Sequence, residues 1–271
     1  VVFIWFADYH SFFPILFAKV MGKKSFVVIG GYDVARMPEL NYGVFISKIR
    51  GFCAAFSMRK SYTNLAVSQY VERRVRKISH GNKTKLIYNC FNIQDSDVTD
   101  FYKENLIITV GLIDSKRSFI LKGIDTFIET ARSLQDYKFL IIGIDSKVAK
   151  EHIYDAPKNL KTIELVKHEE LAAFYKKAKI YCQFSRSESF GVSVVEAIYN
   201  SCIPLVTNIG GLPEIVGDKK YLTKRENEEI KDKLECLSNN MPVDELTALK
   251  LRIDSIFSLE KRKINLLKTC E

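Results

Sequence analysis

The 271 residues predict an α/β protein built from two Rossmann-like domains. Three observations predict it. Short apolar runs alternate with stretches whose apolar residues fall at helical spacing, the signature of strands and helices in turn. Glycine turns follow several of those runs, as at Gly30-Gly31 and Gly210-Gly211. A polar stretch rich in Asp and Asn, residues 89–105, separates two such series and reads as a linker.

Taken in order, Val1–Phe6 reads as a strand, Phe12–Met21 as a helix and Ser25–Ile29 as a strand, a βαβ-like unit ending at Gly30-Gly31. Ile46–Ser61 follows as a helix, Leu65–Val67 as a short strand, Gln69–Lys77 as a helix and Lys85–Tyr88 as a strand. Ser68, before a helix, suits an N-cap. The second series runs strand Leu106–Leu112, helix Gly123–Leu134, strands Tyr137–Gly143 and Lys161–Val166, helix Glu169–Lys177, strand Lys179–Phe184, helix Val192–Asn200 and strand Ile203–Thr207. After Gly217 the strands are expected to stop, leaving helices Arg225–Leu237 and Val243–Lys268, the latter broken near Ser258. The domains are therefore placed at 1–95, with a linker at 96–105, a second domain at 106–242, and helices at 243–271 that pack back on the first. The opening VVFIWF starts inside a strand, so the first domain reads as incomplete.

Composition sets outer limits. With 47% apolar and 27% charged residues the chain has the make-up of a globular protein able to bury a large core. Its 41 basic and 32 acidic residues give +9, which suits an anionic substrate or surface. No contiguous basic stripe with interleaved aromatics points to nucleic acid. No strand is followed by GxGxxG, which argues against a dinucleotide oxidoreductase. The six cysteines form no CxxC pair. Cys182 and Cys202 fall in core positions, as free thiols in a reducing compartment would. The apolar run at the start is interrupted by Asp8, His10 and Lys19 before it could span a bilayer.

The most informative segment is Phe184–Asp218. It sets Glu188 and Glu196 eight positions apart across a glycine turn, the first in a loop after a strand and the second inside the next helix. In parallel sheets ligands bind beyond the carboxyl ends of the strands, so Ser185–Gly191 lies at a binding edge. Gly191 lets backbone amides approach an anion, and the helix starting there adds its positive dipole end. Glu196 is about 7.5 Å further along that helix. A carboxylate there can accept hydrogen bonds from a diol, such as a ribose, beside a phosphate at the helix start.

The segment ESFGVSVVEA, followed by NIGGLPEIVGD, resembles the retaining glycosyltransferases of the GT-B fold, family four, often called group 1 glycosyltransferases. Their donor site carries E-x-F-G-x-x-x-x-E and then G-G-x-P-E. The likeness extends upstream through KLIYNCFN, IITVGLIDSKRSFILKGID and HEELAAFYKKAKIYCQFSRSE, and more loosely through KKSFVVIGGYD and NLAVSQYV. The resemblance implies a nucleotide-sugar donor, such as a UDP- or GDP-sugar, held by the second domain, and no cofactor or metal. Glu188 would contact hydroxyls of the transferred sugar and Glu196 the ribose. Amides around Ser189, Phe190, Gly191 and Val192 would meet the diphosphate, and backbone near Val166 and Lys167 would border the base. Lys122, ahead of Gly123, would neutralise the leaving diphosphate. One departure is Leu112, where the family usually carries Arg; Arg117 could supply that guanidinium from the loop. Asp33, after Gly30-Gly31, is a candidate contact to the sugar or acceptor.

Blander readings compete at several of these positions. Glu214 suits a helix start. Asp95-Ser96-Asp97 has the form of a metal-chelating DxD, but it lies in the polar linker rather than at a buried strand end. His10, His80, His152 and His168 have no ligand spacing and read as surface or capping residues. Phe12, Phe13, Leu16, Phe17 and Val20, with Lys19, Lys23 and Lys24, pack a core or else form a membrane-interface face. The sequence therefore predicts a retaining, metal-independent glycosyltransferase acting on a saccharide or lipid-linked acceptor, cytoplasmic, at the inner face of the membrane. The rival is a non-catalytic nucleotide-sugar-binding remnant of such an enzyme.

Overall fold

The computed structural model describes residues 1–91, 103–240 and 243–270. The chain divides into two compact units. The first is Val1–Asn89 with Glu188–Phe190 and Arg262–Glu271; the second is Cys90–Ser187 with Gly191–Lys261. Most of the expected linker, and Asp95-Ser96-Asp97 within it, lies outside the described residues.

In the first unit β1 (Val2–Trp5), α1 (Tyr9–Val20), β2 (Ser25–Ile29), α2 (Lys48–Lys60), β3 (Thr63–Ala66), α3 (Gln69–Ser79) and β4 (Thr84–Leu86) alternate. The strands form an all-parallel sheet in the order β1-β2-β3-β4. Every residue of β2 and β3 is buried, as a parallel strand covered on both faces requires. Each helix starts where a short polar side chain can cap it. Asp8 accepts from Tyr9 N (2.7 Å) and forms a capping box with Ser11; Ser47 caps α2 and Ser68 caps α3. On α1, Ile15 and Ala18 are buried while Phe13, Phe17, Val20 and Met21 are exposed, so the helix packs through only part of its apolar surface.

The second unit holds β5 (Glu104–Ile113), α4 (Lys116–Leu121), α5 (Ile124–Ser133), β6 (Lys138–Ile144), α6 (Ser146–His152), β7 (Leu160–Ile163), α7 (His168–Lys177), β8 (Ala178–Gln183), α8 (Val192–Tyr199), β9 (Ile203–Thr207), α9 (Leu212–Val216), β10 (Leu222–Thr223), α10 (Asn227–Asn240) and α11 (Val243–Phe257). After it, α12 (Leu259–Cys270) ends among residues of the first unit. There Arg262, buried, donates to the carbonyls of Ile87 (3.2 Å) and Tyr88. The second sheet is all-parallel in the order β10-β9-β8-β5-β6-β7. Phe127 packs edge-on against Phe139 and near Phe184, all nearly fully buried. Each such ring contributes about 2 kcal/mol by removal of apolar surface from water.

The element series matches the sequence reading, with differences confined to short pieces. Strands do not stop at Gly217: Leu222–Thr223 adds β10 beside β9. Two residues carry no period for a sequence pattern to register. The helices α4 and α6, of six and seven residues, are likewise absent from the sequence reading, whereas Glu214 does fall in the first turn of a helix, α9, as expected. Arg117 consequently sits in the first turn of a helix rather than in a loop.

Asp33 was expected to face a sugar or acceptor; the structure gives its carboxylate another task. It accepts the amides of Gly31 (2.7 Å), Gly30 and Ala7 (both 3.2 Å) and is 1% exposed. It shapes the turn at the end of β2. Burial outweighs the amide bonds and pushes its pKa up to about 6. A carboxyl raised from 3.8 to about 6 keeps its proton longer in the folded chain than in the unfolded one. Its contribution to stability is therefore fully present below the lower value and is lost as pH rises through the upper one. The difference in unfolding free energy between wild type and Asp33→Asn should fall by about 3 kcal/mol between roughly pH 4 and 6.5, then level. Urea denaturation at fixed pH values measures it, and a flat difference would contradict the assignment.

Candidate functional site

The second sheet has a reversal in its winding. From β5 the chain moves outward through β6 to β7, then returns to the other side of β5 and moves outward again through β8, β9 and β10. The two directions part between β5 and β8, which are hydrogen-bonded neighbours. Loops leaving the carboxyl ends of those two strands diverge, and the gap between them is where open parallel sheets bind ligands.

Each side of that gap presents residues singled out in the sequence. Beyond β5 the chain forms α4, whose C-cap is Lys122, and Gly123 then opens α5. Lys122 lays its aliphatic stem back over the strand end: a Cβ on Gly111 would stand 3.7 Å from its Cδ and 3.8 Å from its Cε. Gly123 has φ +71°, and a Cβ there would sit 2.0 Å from the carbonyl oxygen of Phe184, so only glycine lets this corner close onto the end of β8. Leu112, also at the end of β5, is 60% exposed. Arg117 lies near Asp114, whose carboxyl is held low chiefly by hydrogen bonds from Ser118 and Ser115 and further by that guanidinium.

Beyond β8, Gly191 adopts φ +106° and begins α8 with Val192. Inside α8, Glu196 is buried, and its oxygens meet His168 Nε2 (2.8 Å) and the Tyr175 hydroxyl (3.1 Å). Burial, followed by the fields of Tyr181 and Glu196, raises the Tyr175 pKa well above its ordinary value, so it stays a neutral donor. A carboxylate has about four acceptor positions, so two such bonds orient Glu196 and leave capacity for a diol. His168 opens α7, just after the half-buried Val166 and the exposed Lys167 that caps it. The His168 ring also lies 6.5 Å from Phe91, itself 6.0 Å from Tyr199. His168 is thus a surface residue, as its sequence context suggests, that also contacts the buried Glu196. Nothing in its spacing could reveal the contact, because Glu196 lies 28 residues away.

Glu188, Ser189 and Phe190 group with the first unit. There Ser189 covers Gly31, since a Cβ on that glycine would overlap the serine side chain. Phe190 is buried, 6.4 Å from the Tyr88 ring. Glu188 is half-buried and accepts the Ser189 amide at 3.1 Å. Burial and then the Glu188 charge, with smaller contributions from Tyr32, Asp33 and Tyr70, push the Tyr42 hydroxyl up to about 12. Lys122, Gly191, Glu196, Val166 and Lys167 thus belong to the second unit, and Glu188, Ser189, Phe190 and Asp33 to the first. Among the described residues no group of three or more His, Cys, Asp or Glu side chains could hold a metal ion.

The sequence model of glycosyl transferases group 1 matches residues 94–249. An uncharacterized glycosyltransferase of Methanocaldococcus jannaschii is 30% identical over 185 residues, 65% of this chain and 49% of that protein. An α-1,4-N-acetyl-D-galactosaminyltransferase of Campylobacter jejuni, named for a diNAcBac-PP-undecaprenol-linked saccharide, is 27% identical over 203 residues, 73% of this chain and 53% of its own length. The chain thus spans about half the length of these curated relatives. Among solved structures, HepE of Anabaena in complex with UDP-glucose superposes with a TM-score of 0.77 at 14% identity, over 99% of this chain and 78% of that one. A sucrose-phosphate synthase of Thermosynechococcus elongatus gives 0.75 at 16%, over 91% and 67%. With the family match running over more than half of its length and two parallel sheets like those of these structures, the chain belongs to the group 1 glycosyltransferases and has their GT-B fold.

Proposed function

We propose that this chain is a glycosyltransferase that moves a sugar from a nucleotide-sugar donor to a hydroxyl acceptor with retention of configuration and without a metal. One observation carries the reading: a lysine corner follows β5, and a glycine-opened helix bearing an oriented, buried carboxylate follows β8, the two strands between which the parallel sheet reverses its winding. The diphosphate of a UDP- or GDP-sugar is met by Lys122 and by the amides that open α8, the ribose by Glu196, and the base by backbone at Val166 and Lys167. Arg117 adds charge from the first turn of α4. Glu188 contacts hydroxyls of the transferred sugar. The Anabaena structure with UDP-glucose supports this donor class, and the activity named for the Campylobacter relative supports sugar transfer.

The chemistry asked of the protein is charge stabilisation and positioning. Cleavage of the glycosidic phosphate bond leaves negative charge on the diphosphate; a fixed ammonium and a helix start stabilise that charge without reorganising. In the retaining reaction the departing phosphate oxygen takes the proton of the incoming hydroxyl on the same face of the sugar. No covalent nucleophile is needed, and the enzyme's main service is to hold the two oxygens in place. Asp33 supports this indirectly, by setting the Gly30-Gly31 turn on which Ser189 rests.

A lipid-linked saccharide is the acceptor class favoured by the first unit, where Phe13, Phe17, Val20 and Met21 stand exposed beside Lys19 and Lys23. Apolar residues bordered by cations suit an anionic membrane surface. No helix among the described residues is long and apolar enough to cross a membrane.

Thermal-shift screening of UDP- and GDP-sugars should show stabilisation by one donor class, with the shift lost in Lys122→Ala and Glu196→Ala. Absence of a response to every donor would overturn the reading, whereas binding without transfer to any acceptor would favour a non-catalytic remnant. Replacing His168 with Ala should weaken donor affinity by about tenfold through loss of Glu196 orientation, measured by calorimetry. Phe13→Ser with Phe17→Ser should reduce co-sedimentation with vesicles containing anionic lipid, and equal binding by wild type and variant would exclude this face.

A further inference from the structure

The corner that carries Lys122 is tied by Arg186. Arg186 sends Nη1 to Asp125 Oδ1 (2.8 Å) and Nη2 to Asp125 Oδ2 (2.5 Å), a two-pronged ion pair. The same Nη1 donates to the carbonyl of Ile120, and the Arg186 amide donates to the carbonyl of Leu121 at 2.8 Å. Ile120 and Leu121 end α4, while Asp125 lies in the first turn of α5. One residue therefore ties both helix ends that flank Lys122-Gly123. The charges also suit the helix ends, with a cation on carbonyls at a C-terminus and a carboxylate at an N-terminus.

The anchor is itself fixed. The Thr207 hydroxyl donates to the carbonyl of Ser185 at 2.8 Å, next to Arg186. The Gln183 side chain bridges the Tyr181 hydroxyl (3.1 Å) and the Ser185 hydroxyl (3.3 Å). The strand end bearing Arg186 is thus braced on β9 on one side and grips the α4–α5 corner on the other. Arg225 lies within electrostatic reach of both members of the pair. A fork matched to a carboxylate fixes angle as well as distance, which a lysine cannot do.

We propose that Arg186 and Asp125 are positioning residues for Lys122: their paired contact sets the place of the ammonium above the end of β5, without touching the donor themselves. This rests on the donor reading given above. It assigns the pair an effect confined to the diphosphate, because Glu196 and the backbone at Val166 and Lys167 depend on other contacts.

Isothermal titration of the full chain with UDP, uridine, GDP and guanosine separates the possibilities. In Arg186→Gln and in Asp125→Asn, affinity for the nucleoside diphosphate that binds wild type should fall by about tenfold, while affinity for its nucleoside changes less than about twofold. Lys122→Ala should show the same selective loss. Combining Lys122→Ala with Arg186→Gln should then add little, since both remove one contact. A parallel loss of diphosphate and nucleoside in the pair variants, or loss of fold in both, would make the pair a staple of the fold and overturn the inference. So would unchanged diphosphate affinity in both pair variants while Lys122→Ala loses it. If wild type binds none of the four compounds, the donor reading itself fails and this inference falls with it.

Discussion

The lateral pairing of β5 with β8 is the constraint on which the second unit depends. These two strands are far apart in sequence, yet Ile107 pairs with Ile180 and Ile108 with Tyr181 in parallel register. All four side chains are essentially absent from solvent. Because β5 then has β6 on its other edge, the connections above its two sides must lead away from each other. A gap at the strand ends is thus a product of topology, not of any one loop. The residues that line it can vary in type while the place for a ligand stays put.

Around that gap, polar groups are matched to partners before any ligand arrives. Glu196 is oriented by His168 and Tyr175, Ser185 by Thr207 and Gln183, and the corner before α5 by Arg186. Such satisfaction matters because a buried polar group without a partner costs about 1–3 kcal/mol. It also matters for catalysis by charge stabilisation, which works only when dipoles and cations need not move as charge develops. The same economy explains Asp33. Its position beside a glycine turn looks like an exposed carboxylate awaiting a substrate, but three backbone amides already occupy it.

The chain itself determined a good deal. Apolar runs of strand length, spaced by helical stretches, are enough to predict two α/β series, because burial on both faces leaves a continuous hydrophobic record in each parallel strand. Glycines at Gly123 and Gly191 mark backbone turns that other residues adopt only with strain, so they too can be seen in one dimension. The spacing of Glu188 and Glu196 about Gly191 carried the family resemblance for the same reason: these residues are near neighbours along the chain.

What required tertiary structure is every contact made across many residues. His168 with Glu196, Arg186 with Asp125 and Thr207 with Ser185 join positions 28, 61 and 22 residues apart, and no local period records such pairs. Two-residue β10 and the short helices α4 and α6 escaped for the related reason that their stability comes from neighbours rather than from their own pattern. Local sequence encodes which segments become strands, helices and tight turns, since those choices depend on burial and backbone freedom at each position. Which side chains meet at the strand ends, and whether a carboxylate is offered to a ligand or consumed by the backbone, depends on packing that only the folded chain brings about.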